Sequence, residues 1–142
     1  MRVVRLPIAH ATCVSAHGKG LLLQGRTGSG KSGLALQLMA LGATLVADDR
    51  VLLRRDEATL TAICPEPLRG RIEARGIGIL KHDFTPQARI HWIVDLDLDC
   101  VARLPQCETR LLEGVSLPLI RAKNVPNLAY SLMILVQDGR RE

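Results

Sequence analysis

Residues 25–32 read Gly-Arg-Thr-Gly-Ser-Gly-Lys-Ser, a spacing in which glycines let backbone N–H groups turn inward around phosphate oxygens. In such a loop Gly25, Arg26, Thr27, Gly28, Ser29 and Gly30 form the cradle, Lys31 reaches the terminal phosphates, and the Ser32 hydroxyl helps hold Mg²⁺. The nucleotide chemistry this implies needs an acid, and two adjacent ones follow: Asp48 and Asp49 close the apolar run 43–47. One carboxylate there can serve the metal, or accept the proton of an attacking hydroxyl. Side chains alternate along a strand, so one of the two is expected to face the loop. The plainer reading is that the pair ends the strand and solvates a turn before Arg50. Further on, residues 68–80 (LRGRIEARGIGIL) place Arg69, Arg71 and Arg75 around the acid Glu73. Arginines suit phosphate oxygens, but a solvated basic face explains them equally, and Glu73 fits either an arginine partner or a Mg²⁺ ligand.

The elements that must position these residues follow from the apolar pattern. Residues 11–17 and 19–24 read as strands joined near His17-Gly18, the second buried because its apolar run is nearly continuous. From Lys31 to Leu41, Leu34, Leu38 and Leu41 recur at helical spacing, with Gly42 as the stop. Strands are predicted at 43–47, 51–54 and 59–63, before Pro65 and Pro67 break the pattern. Residues 90–98 alternate like a half-exposed strand, and 131–136 fit a closing helix or a buried strand equally.

Composition narrows the function classes. A chain of 142 residues, 47% hydrophobic, accommodates one core and one domain. The net charge of +5 is scattered, and only Phe84, Trp92 and Tyr130 are available to stack on bases, which argues against a nucleic-acid partner. No apolar stretch is long enough to span a bilayer, and the first ten residues lack the apolar core of a signal peptide, so a cytoplasmic location is expected. Cys13, Cys64, Cys100 and Cys107 form no CxxC pair and read as reduced thiols rather than zinc ligands.

Taken in order, His10, the loop at 25–32, LVADDRV at 45–51, IEARGIGI at 72–79 and LPLIRAKN at 117–124 resemble the catalytic domain of the HPr kinase/phosphorylase family. The loop is generic, whereas ADD followed by EARGIGI is specific, and the resemblance covers nearly the whole chain. It implies an α/β, P-loop kinase-like single domain over 1–142, with a mostly β core sheet, a helix after the phosphate loop and a C-terminal helix. It also implies an ATP- and Mg²⁺-dependent kinase of a serine on HPr, the phosphocarrier of the sugar phosphotransferase system, which many members reverse with inorganic phosphate to release pyrophosphate. Under it Asp48 is the acid/base, His10 tunes that aspartate, Lys31 neutralises phosphate charge, and Arg121 handles the phosphorylated serine. Ser32, Asp49 and Glu73 match metal-associated positions. On its own spacing His10 reads as a structural strand-end residue.

The resemblance has two departures. Many members carry an additional N-terminal domain, so the expectation is the catalytic half without it. Many also have an acid directly after Gly-Lys-Ser, where Gly33 stands here. Family members suggest a hexamer, with the Arg121 loop acting across a subunit boundary. A nucleotide-responsive binding module that docks a partner without turnover is the alternative, and a small-molecule kinase ranks last because the chain has little length for a lid.

Overall fold

Apolar side chains alternate between two cores along the central strands of the protein, which was analysed as a computed structural model describing residues 6–138. On one side lie Val14, Leu21, Leu23, Leu45, Trp92 and Val94, packed with Leu34, Leu38, Ala129 and Leu132 from two helices. On the other lie Cys13, Leu22, Val46 and Ile93, packed with Val51, Leu53, Leu60, Ala62 and Leu117. The period of two between the sets is the strand period, and it fixes which face each residue covers.

In chain order the strands are β1 (Ile8–Ala9), β2 (Thr12–Ala16), β3 (Lys19–Gln24), β4 (Thr44–Ala47), β5 (Val51–Asp56), β6 (Thr59–Ile63), β7 (Arg71–Ala74), β8 (Gly78–Lys81), β9 (Gln87–Asp99), β10 (Glu108–Leu112) and β11 (Val115–Lys123). Helix α1 (Lys31–Ala40) follows the phosphate loop and α2 (Leu128–Asp138) follows β11. Nine strands form one mixed sheet in the order β1-β5-β6-β9-β3-β2-β4, with β11 also pairing β9 and β10 pairing β11. The pair β7–β8 is a separate hairpin. Strand β3 runs parallel to β9 with Gln24 opposite Asp95, while β2 is antiparallel to both β3 and β4. Strands β2 and β3 are joined by His17 (φ 52°) and Gly18 (φ 74°), two left-handed residues whose twist suits a two-residue hairpin.

The segments read from apolar pattern alone agree with this architecture, and the open choice at 131–136 resolves as helix. Strand β9 departs from expectation. Its central residues Trp92 to Asp95 are buried on both faces, because β3 and β11 flank it and the two cores cover it. Strands β1, β7, β8, β10 and β11 were not anticipated.

Candidate functional site

The phosphate loop leaves β3 at Gln24 and enters α1 at Lys31. Gly30 caps that helix at φ 100°, and no side chain bonds the cap, so the first N–H groups of α1 point outward with the positive end of the helix dipole. Gly28, at φ 84°, and Gly30 have open space where a Cβ would stand. Lys31 is only 8% exposed, and its Nζ donates to the carbonyl of Gly25 at 2.6 Å and to that of Arg26 at 3.5 Å. The ammonium is thus folded back over its own loop.

Beside the loop is a cavity of about 460 Å³ lined by Arg26, Thr27, Gly28, Lys31, Ser32, Asp48, Asp49, Glu73 and Arg75, among others. Asp48 is its centre of hydrogen bonding. Its Oδ1 accepts from Ser32 Oγ at 2.7 Å and from Thr12 Oγ1 at 3.0 Å, and its Oδ2 accepts the backbone N–H of Glu73 at 3.2 Å. Three separate elements, β2, α1 and β7, therefore converge on one carboxylate at the end of β4.

Strand alternation was expected to send Asp48 and Asp49 to opposite sides, yet both line the cavity. The strand ends at Ala47, and Asp49 adopts φ 69°, where the period of two no longer applies. Thr12 supports this turn by accepting the Asp49 N–H at 3.2 Å.

Glu73 and Arg75 reach the cavity from the β7–β8 hairpin, whose Ile72 and Ala74 are buried on the inner side. Glu73 forms no ion pair among the described residues. Ser32, Asp48, Asp49 and Glu73 present only oxygen donors to the cavity, the ligand type Mg²⁺ takes, but among the described residues no group of three or more acids or other ligands stands close enough together to hold a metal ion by itself, so an ion there would depend on phosphate oxygens and water for the rest of its shell. Gly33 also lines the cavity, and a Cβ there meets nothing within 4 Å.

Two residues singled out from sequence lie elsewhere. His10 is exposed at the bend between β1 and β2 and does not line the cavity. Arg121 is exposed on β11, where its Nε donates to Glu108 Oε2 at 2.7 Å. It lines a second cavity of about 350 Å³ with Cys100, Cys107 and Glu108. The hydrogen bond to Arg121 holds the Glu108 carboxyl below its ordinary value, and Glu108 in turn raises Arg121. Thr12 was missed, and its contact with Asp48 joins positions 36 apart, with no local pattern to announce it.

Comparison with known proteins places this geometry in context. The family described as HPr Serine kinase C-terminal domain matches residues 4–91. The HPr kinase/phosphorylase of Limosilactobacillus reuteri is 46% identical over 150 residues, covering 94% of this chain and 46% of that protein. The HPr kinase/phosphorylase of Caldicellulosiruptor bescii is 50% identical over 72 residues, covering 50% of this chain and 23% of that protein. The chain thus spans less than half the length of these curated relatives. Among solved structures, the Hpr(Ser) kinase/phosphatase from Coxiella burnetii matches with a TM-score of 0.79 at 26% identity, covering 94% of this chain and 90% of that one. The mostly β mixed sheet with two helices is the fold of that neighbour, a P-loop kinase-like α/β arrangement.

Proposed function

Because the chain belongs to the HPr serine kinase C-terminal domain family, we propose that it is an ATP- and Mg²⁺-dependent kinase of a serine on HPr. The observation that carries this reading is Asp48, a carboxylate inside the phosphate cavity held by two hydroxyls and one N–H and by no cation among the described residues. These donors fix the carboxylate at the edge of the cavity, where a general base would stand within reach of an acceptor hydroxyl.

The loop N–H groups and Lys31 hold the phosphates and spread their charge, so most of the acceleration comes from positioning and electrostatics. Mg²⁺, when bound, neutralises charge on the transferring phosphoryl group, and Ser32, Asp49 and Glu73 are the residues that would hold it. Asp48 accepts the serine proton as the hydroxyl attacks. In reverse, the same carboxyl returns a proton to the serine oxygen while inorganic phosphate takes the phosphoryl group and leaves as pyrophosphate. Arg121 has an exposed partner, and exposed ion pairs are weak, so it can exchange Glu108 for the phosphate of phosphoserine. His10 carries no step in this reading. The family resemblance further suggests a hexamer acting in the cytoplasm. Among the described residues no helix is long and apolar enough to cross a membrane.

The test is intact-mass analysis of HPr incubated with this protein, ATP and Mg²⁺, with Asp48→Asn as control. A gain of one phosphoryl group with the unaltered protein alone supports the kinase and its base. Confirmed nucleotide binding without any gain shifts the reading to the non-catalytic binding module.

A further inference from the structure

The C-terminal half of β9 carries Asp95, Asp97 and Asp99 at alternate positions, and the partners of the first two lead back to the phosphate loop. Asp95 is buried at 7% exposure, a costly place for a charge unless it is paired. Its Oδ2 accepts from Arg110 Nη1 at 2.8 Å, and the same nitrogen donates to Gln24 Oε1. Its Oδ1 accepts the backbone N–H of Asp97 at 2.8 Å. Asp97 Oδ2 then accepts the backbone N–H of Arg26, also at 2.8 Å. Gln24 is the last residue of β3 and Arg26 the second of the loop, so the network grips the loop's entry on both sides of Gly25. Gly25, at φ 151°, leaves no room for a side chain, since a Cβ there would collide with the Ser29 side chain.

We propose that Arg110, Asp95 and Asp97 form a positioning relay that holds the entry of the phosphate loop in its nucleotide-receiving shape. This rests on reading that loop as the nucleotide site. None of the three lines the cavity. Glycine-rich loops lose much conformational freedom on ordering, and a cradle works only when its donors are already aimed. A tie at Arg26 meets part of that requirement before the ligand arrives. The Asp97 carboxylate also lies 3.7 Å from Arg26 Nε, but that pair is exposed and exposed pairs contribute little, and its charge is adverse to phosphate, so its benefit comes chiefly from the acceptor oxygen. Arg110 extends the relay to the β10–β11 hairpin, whose Glu108 holds Arg121.

The contrast between acceptor and charge makes the test. In the full chain, binding of a fluorescent ATP analogue, thermal denaturation and HPr phosphorylation are measured for Asp97→Ala, Asp97→Asn, Arg110→Leu and the double variant Asp97→Ala/Arg110→Leu. Asp97→Ala is expected to weaken analogue binding by up to roughly tenfold, the upper scale of one ordinary hydrogen bond, with the loss in KM rather than kcat. Asp97→Asn keeps an acceptor oxygen and is expected to bind as the parent protein does. Arg110→Leu should weaken binding similarly, and the double variant should add less than the sum, because both act through one network. Should Arg110→Leu fail to fold, the surface variants at Asp97 decide alone. Equal losses for Ala and Asn at Asp97, or parental binding by Asp97→Ala, overturn the relay. No analogue binding by the unaltered protein overturns the nucleotide reading and the relay with it. Binding without HPr phosphorylation, with the Ala and Asn contrast intact, supports the relay and overturns the acceptor assignment alone.

Discussion

Thr12 offers the sharpest separation of chemistry from packing, because its side chain does both. It is fully buried, its hydroxyl donates to Asp48 Oδ1 at 3.0 Å and accepts the Asp49 N–H at 3.2 Å. Thr12→Val keeps the shape and removes the hydroxyl. One hydrogen bond to a charged acceptor contributes about 1.5–3 kcal/mol, partly offset here because Asp48 Oδ1 keeps its bond from Ser32 Oγ, so a net loss of about 1–2 kcal/mol is expected. For a domain of this length that corresponds to a melting point lower by roughly 3–6 °C. If the same tether holds Asp48 during transfer, about 1.4 kcal/mol of lost orientation slows phosphorylation roughly tenfold. Thr12→Ser does the opposite: it keeps the hydroxyl and removes a buried methyl, costing about 1 kcal/mol of stability while the rate stays within about threefold of the parent. The assay is the initial rate of HPr phosphorylation at saturating ATP, followed by intact mass, beside thermal denaturation of each variant. Equal rate losses for Val and Ser would show that packing alone matters, and an unimpaired Val variant would refute the tether outright.

Other variants probe neighbouring parts of the argument. Lys31→Ala should weaken nucleotide binding at least about tenfold by calorimetry, since it removes the one buried ammonium aimed over the loop. Gly33→Ala should raise the melting point by roughly 3 °C, because alanine is favoured over glycine in a helix by about 1 kcal/mol and a Cβ there meets nothing. The Glu108 carboxyl lies below its ordinary value of 4.5 in the folded chain, so its contribution to stability is complete above that value and declines as pH falls through the lower folded value. Melting curves of the parent and Glu108→Gln should accordingly converge only at acid pH. Burial pushes the Cys13 thiol up to about 12, so a thiol reagent applied to the native protein should leave Cys13 unlabelled while exposed Cys107 reacts, as peptide mapping will show.

How much of this was legible in sequence depended on whether a signal was local. The strand before the loop, the helix after it and the strand ending just before Asp48 are apolar runs bounded by glycines or acids, and each appears as expected. The β7–β8 hairpin hid behind its glycines and arginines. Its first strand does alternate, with Arg71 and Glu73 outside and Ile72 and Ala74 inside, but over only four residues. Strand β11 alternates too, with Val115, Leu117 and Leu119 buried, and Pro118 between them obscured it. The convergence of Thr12, Ser32 and the Glu73 N–H on Asp48 had no signal at all, because it exists only once β2, α1 and β7 are packed together. The expectation that one of Asp48 and Asp49 alone faces the loop failed because strand alternation was carried past the end of the strand at Ala47.

The sheet presents acids at two strand ends near the phosphate loop, and their partners distinguish them. Strand β9 is the parallel neighbour of β3, and Asp95 sits opposite Gln24 at the loop's root, on the strand adjacent to β3. Its charge, however, is committed: Arg110 lies against one oxygen and the Asp97 N–H against the other. A buried carboxylate paired with a guanidinium is held in place as part of the framework. Asp48 stands on β4, with β2 between it and β3, yet every donor that holds it is neutral. Hydroxyls can rotate from donor to acceptor, so Ser32 and Thr12 can remain bonded to Asp48 in either protonation state. Under the proposed function, an acid that gains and loses a proton needs partners of that kind, so Asp48, which lines the cavity, suits the chemistry, and Asp95, which does not, suits the architecture.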